Sequence, residues 1–146
     1  MNTSNCNDLF REKVQTVLKE YKLTLKTLSK VTGIDYVWLT NYVNSKSSYG
    51  ELSLIDMSTL STVLILLTDG MKMINDDERV KSVIDILVNE FEIKLETLAI
   101  YAGLKIDDVD NFMKDTNSIS YEKKYKLATK TLSLNYIFKQ PSKIET

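Results

Sequence analysis

Residues 20–45 read EYKLTLKTLSKVTGIDYVWLTNYVNS and residues 90–115 read EFEIKLETLAIYAGLKIDDVDNFMKD, so the chain repeats itself at an offset of 70 without a gap. Glu20/Glu90, Leu25/Leu95, Thr27/Thr97, Leu28/Leu98, Gly33/Gly103 and Asn41/Asn111 are identical, while Leu23/Ile93, Ile34/Leu104, Leu39/Val109 and Tyr42/Phe112 keep apolar character. A repeat of this kind constrains the fold more than composition does, because each copy must be one structural unit built to the same plan. The match runs upstream in register: Phe10, Val14, Val17 and Leu18 answer to Val80, Ile84, Leu87 and Val88 at helical spacing. Downstream the offset drops to 67, aligning Ser53, Leu60, Ser61 and Leu67 with Ser120, Leu127, Ala128 and Leu134. The slip falls in the polar loops 44–50 and 114–118.

Within the first copy the pattern predicts helices over 8–21, 25–31 and 36–44, and a fourth from a Ser53 cap to 67. Gly33 ends the second of these, where a glycine takes the left-handed conformation without a Cβ penalty, and Asp35 is placed to cap the third. The second copy predicts helices near 77–91, 95–101, 107–114 and 121–132. Strand signals are almost absent, and the single proline, Pro141, lies in the tail. The expected fold class is all-α, as two tandem units of four to five helices, residues 1–70 and 71–146, packed together. The stretch 60–67 is apolar on more than one face, which calls for burial on several sides, by the other unit or by a two-fold homodimer.

Composition narrows the chemistry. With 43% hydrophobic and 27% charged residues the 146-residue chain is globular, and 19 basic against 20 acidic side chains leave no global field towards nucleic acid or anionic membrane. The absence of histidine removes the commonest general base and metal ligand. Cys6 stands alone in a polar lead-in, so it closes no internal disulfide and builds no thiolate metal site. The four glycines are too far apart for a phosphate-cradling loop. No enzymatic activity, cofactor or metal is expected, and with no signal segment or membrane span the expected location is cytoplasmic.

Two short helices joined by a tight glycine turn are the helix-turn-helix arrangement. The run from Leu23 through Thr27-Leu28-Ser29 to Gly33-Ile34-Asp35, followed by Leu39-Thr40-Asn41-Tyr42, resembles the lambda-repressor-like (Cro/repressor, XRE-type) family. Leu98-Ala99 and Gly103-Leu104 fit the same pattern in the second copy, and residues 132–138 resemble the final helix of such a domain. In residue usage the chain also resembles small regulators of low-GC Gram-positive bacteria and their phages. The resemblance implies that the helix 36–44 enters the DNA major groove and that the protein binds two half-sites as a homodimer. Leu25 departs from the pattern, since the family usually has a DNA-contacting glutamine there.

On that helix Tyr36, Val37, Trp38, Thr40, Asn41 and Asn44 are the expected outward residues, with Leu39, Tyr42 and Val43 inward. Asn41 suits an adenine edge, Thr40 or Val37 a thymine methyl, and Lys26 and Lys30, beside Lys22, suit phosphates. Local charge separates the copies. Over 19–46 five lysines face two acids, a balance of +3, whereas over 89–116 three lysines face seven acids, a balance of −4. Asp107, Asp108 and Asp110 occupy the base-reading positions of the second copy and read as helix-start acids favoured by the macrodipole. Lys123, Lys124, Lys126 and Lys130 read as solvated surface. The leading expectation is a sequence-specific transcriptional regulator that reads double-stranded DNA with its first unit. The alternative is a protein-interaction module that has lost DNA reading, such as a phage-encoded inhibitor of a host protein, with Tyr36, Trp38 and residues 107–110 as its interface.

Overall fold

The computed structural model describes residues 3–140, with side chains from Leu9 onward, so the Cys6 side chain and the tail holding Pro141 lie outside the described residues. Those residues are helical with no strand, and the chain divides into two compact units, Met1–Met73 and Ile74–Thr146. Unit 1 contains α1 (Thr3–Lys19), α2 (Leu25–Thr32), α3 (Tyr36–Val43), a 3-10 turn and α4 (Leu54–Ile65). A π-helical turn, Leu66–Gly70, carries α4 into the short α5 (Met71–Met73). Unit 2 contains α6 (Asp76–Glu90), α7 (Leu95–Ala102), α8 (Ile106–Lys114), a 3-10 turn and α9 (Tyr121–Lys139).

Side-chain caps start most of these helices. Thr24 Oγ1 accepts from the Thr27 N–H, Asp35 Oδ2 from the Trp38 N–H and Ser53 Oγ from the Asp56 N–H, each at 3.1 Å. Asn75 and Ser120 do the same for α6 and α9 at 2.8 and 3.3 Å. Such caps are worth about 1 kcal/mol each, and they set where each amphipathic face begins. In unit 1 those faces bury Val14, Val17, Leu28, Ile34, Leu39, Tyr42, Leu60 and Leu64 in one core. In unit 2 they bury Ile84, Leu87, Leu98, Ala99, Val109, Phe112, Leu127 and Leu134 in another.

Two helices run on past their expected ends. The fourth helix does not stop at 67: it continues through the π turn, where Thr68 is buried and its hydroxyl donates to Leu64 O at 2.7 Å. No separate helix forms over 132–138, because neither glycine nor proline interrupts 121–139 and α9 runs through unbroken, burying Leu127, Thr131 and Leu134. In the apolar stretch 60–67, Leu60 and Leu64 lie in the unit 1 core, Val63 and Leu67 pack against it, and Ile65 and Leu66 are exposed. Over Leu54–Met73 this helix is long and apolar enough to cross a membrane by length and composition. Its Leu60, Leu64 and Thr68 nevertheless complete the unit 1 core, which would be lost if the helix left it.

The turn into the second helix of each unit uses left-handed backbone without glycine. Lys22 has φ 59 and Glu92 φ 55, and the next N–H reaches back six residues, Leu23 to Val17 O at 3.0 Å and Ile93 to Leu87 O at 3.1 Å. A side chain in this conformation is strained by roughly 1 kcal/mol relative to glycine. Glu92→Gly relieves that strain but gives the unfolded chain more freedom, at about 0.4–1 kcal/mol, so unit 2 is expected to gain at most about 0.5 kcal/mol, read as a slightly higher urea midpoint.

Candidate nucleic-acid interface

The turn between α2 and α3 is fastened by two hydroxyls and two backbone N–H groups. Gly33 takes φ +74, and its N–H donates to Ser29 O at 2.8 Å. The Ser29 hydroxyl donates to Ile34 O at 2.6 Å, and the Thr32 hydroxyl donates to Leu28 O at 2.6 Å while accepting from the Ile34 N–H at 3.2 Å. Two hydroxyls thus fasten the start of α3. In unit 2 alanines stand in their place, and the turn after Gly103 closes through backbone alone, Leu104 N–H to Ala99 O at 2.9 Å.

On α3, Tyr36, Val37 and Asn44 are exposed, and Thr40 and Asn41 are half-buried along the same outward side. The Thr40 hydroxyl is tied to Tyr36 O at 2.9 Å. The Asn41 side-chain amide makes no hydrogen bond among the described residues, so its donor and acceptor remain available to a ligand. Trp38 stands apart from these five. Its ring stacks on Tyr42 with centroids 5.0 Å apart, it packs against the unit 1 core, and its indole N–H is buried without a partner. Position explains the difference: residues 36, 37, 40, 41 and 44 recur at helical spacing, and residue 38 falls on the flank.

Around this face Lys22, Lys26 and Lys30 are exposed and form no ion pair among the described residues. Leu25, at the position where glutamine was expected, is half-buried and packs against the core, so α2 opens with a packing contact instead of a polar one. Arg11 on α1 escaped the sequence reading. Its Nε donates to Tyr42 O at 2.8 Å across 31 residues of chain, and nothing local in the sequence signals that contact.

The corresponding region of unit 2 is chemically different. Asp107 is exposed, but Asp108 pairs with Lys123 at 2.9 Å and caps α8 by accepting from the Lys105 N–H at 3.3 Å. Lys124 pairs with Asp77 at 2.7 Å and Lys126 with Glu122 at 3.3 Å, while Lys130 is exposed and unpaired. Two of the four α9 lysines are thus engaged with acids on other helices of the unit. Ile100 and Tyr101 stand exposed on α7, where unit 1 has Lys30 and Val31.

The hydrogen bond from Lys123 holds the Asp108 carboxyl below its usual range. A carboxyl that titrates lower when folded stabilises the fold above the ordinary carboxylate range, and that contribution is lost as pH falls through the depressed value. Asp108→Asn is expected to shrink the fall in melting temperature between neutral and acid pH, as measured by circular dichroism.

A short helix, a tight glycine turn and a second helix with an outward polar face define a helix-turn-helix, the motif of DNA-binding proteins in which the second helix enters the major groove. A family model described as a helix-turn-helix domain matches residues 5–144, and the chain belongs to that family. Neither the curated proteins nor the solved structures gave a match.

Proposed function

We propose that the protein is a sequence-specific transcriptional regulator of the lambda-repressor-like type that reads double-stranded DNA with unit 1. In this reading α3 lies in the major groove. Asn41 pairs with an adenine edge, Val37 and Thr40 meet thymine methyls, Tyr36 and Asn44 complete the face, and Trp38 supports it from the flank. Lys26 and Lys30 neutralise phosphates. The observation that carries the reading is the free Asn41 amide on an exposed helix face, flanked by unpaired lysines. Unit 2, a second copy of the plan with acids where bases would be read, serves a structural or partner-binding role. The exposed Leu54, Ile55, Ile65 and Leu66 of unit 1 suit burial in a homodimer on two half-sites.

The test is titration with duplex DNA from around the protein's own gene at low and at near-physiological salt, following Trp38 fluorescence and gel retardation. The expected result is saturable binding that persists at the higher salt. Lys26→Ala and Lys30→Ala should each weaken binding to all sequences by about fivefold near 0.15 M salt and reduce the salt slope by about 0.9. Binding that shows no sequence preference, or that both substitutions leave unchanged, defeats the assignment.

The exposed Ile100 and Tyr101 favour a second reading, an interaction module that binds protein through unit 2. Capture of one defined protein, lost on Tyr101→Ala, by a chain indifferent to DNA would support it.

A further inference from the structure

The C-terminal end of α3 is held by a residue from another helix. The last turn of α3 contains no basic side chain, so the partial negative charge of its terminal carbonyls has no cation of its own. Backbone bonds meet part of this need: the Ser45 N–H donates to Tyr42 O at 3.1 Å and the Lys46 N–H to Asn41 O at 2.7 Å, with Ser45 in the left-handed region at φ 60. Arg11 supplies the charge. Its Nε donates to Tyr42 O at 2.8 Å, its Nη2 to Ser47 O at 3.3 Å, and the guanidinium lies 4.8 Å from the Tyr42 ring centroid. Tyr42 in turn stacks on Trp38. One planar group therefore engages the helix end, the loop after it and the aromatic pair on the helix flank.

We infer that Arg11 is a positioning residue for DNA reading: it clamps the end of α3 and the following loop, and so fixes where Asn41, Asn44 and Lys46 stand. This rests on the proposed DNA reading of unit 1. Two carbonyls in different segments and an aromatic face match the geometry of a guanidinium, which presents several donors in one plane and stacks. A lysine keeps the charge but cannot reach both carbonyls while lying flat on the ring. Phosphate contacts from α2 do not pass through this clamp, so its loss should impair base discrimination more than general affinity.

Arg11→Lys separates these effects, and Arg11→Met removes the charge as well. The selected duplex, chosen by rounds of binding from random sequences, is compared with a scrambled one. For Arg11→Lys we expect cooperative thermal unfolding to be retained and preference for the selected duplex to fall at least tenfold, with scrambled-duplex binding and its salt slope unchanged. Acrylamide quenching of Trp38 and hydrogen exchange at the Ser45 and Lys46 amides should increase, and increase further in Arg11→Met. Unchanged quenching and exchange in Arg11→Lys would overturn the clamp itself. Increased exchange with duplex preference intact within twofold would overturn its role in reading. A wild-type chain that prefers no duplex defeats the DNA reading, and the positioning role with it, whatever the exchange data show.

Discussion

Replacing Phe112 by alanine is expected to destabilise unit 2 by about 3–5 kcal/mol and to leave the unfolding of unit 1 in place. Phe112 is 1% exposed and is the largest side chain in the second core, among Ile84, Leu87, Leu98, Val109 and Leu127. Truncation removes its transfer free energy and leaves a cavity that rigid neighbouring helices fill only in part. A unit of this size has little stability to spare, so such a loss is enough to unfold it. The lone tryptophan makes the measurement selective, since Trp38 belongs to the first core and reports on unit 1 alone. Urea unfolding followed by Trp38 fluorescence should keep its midpoint, while far-UV circular dichroism should show an early phase. Coincident shifts in both signals would show that the two cores unfold as one.

The second large effect tests the proposed DNA reading of unit 1. Asn41→Ala should reduce discrimination at one A·T pair of the bound site by about 1–3 kcal/mol, the usual worth of a bidentate amide contact to adenine. Overall stability should change little, because the Asn41 side chain makes no hydrogen bond among the described residues and is only half-buried. The matched substitution Asn111→Ala is the control: the repeat places the same residue on α8, but beside Asp107 and Asp110, where phosphates are repelled. Competition binding against duplexes changed one base pair at a time reads both variants. A uniform loss across all duplexes for Asn41→Ala, or an equal effect from Asn111→Ala, would remove Asn41 from the reading face.

Much of the fold is legible in the chain because its signals are local. The helices over 25–32 and 36–43 follow from apolar spacing closed by Gly33 and opened by Asp35, and the observed bounds fall within a residue or two of the expected ones. Ser53 caps the helix it was expected to cap, and Ser120, its counterpart in the repeat, caps α9 in the same way. The αL residues Lys22 and Glu92 were not legible, since neither is a glycine and the turn that forces them depends on packing at both ends. Nor was the unbroken α9, because the apolar run 132–138 reads equally as the end of one helix or the whole of another.

The candidate site divides the same way. The outward set on α3 follows from helical periodicity, and only Trp38, on the flank, is drawn into packing by Tyr42. By itself the sequence determined the all-helical class, the capped turn between α2 and α3 and the contrast in local charge. These rest on interactions that span about four residues, within the reach of a helix turn or a cap. Tertiary structure decided which charges remain free. Lys123 meets Asp108 across 15 residues and Arg11 meets Tyr42 across 31, so neither contact exists until the chain has folded back on itself. Those distant pairings quiet part of the acidic face of unit 2 and hold α3 of unit 1 at its far end, because in a packed helical unit the partners of a long side chain are set by the helix that lands beside it.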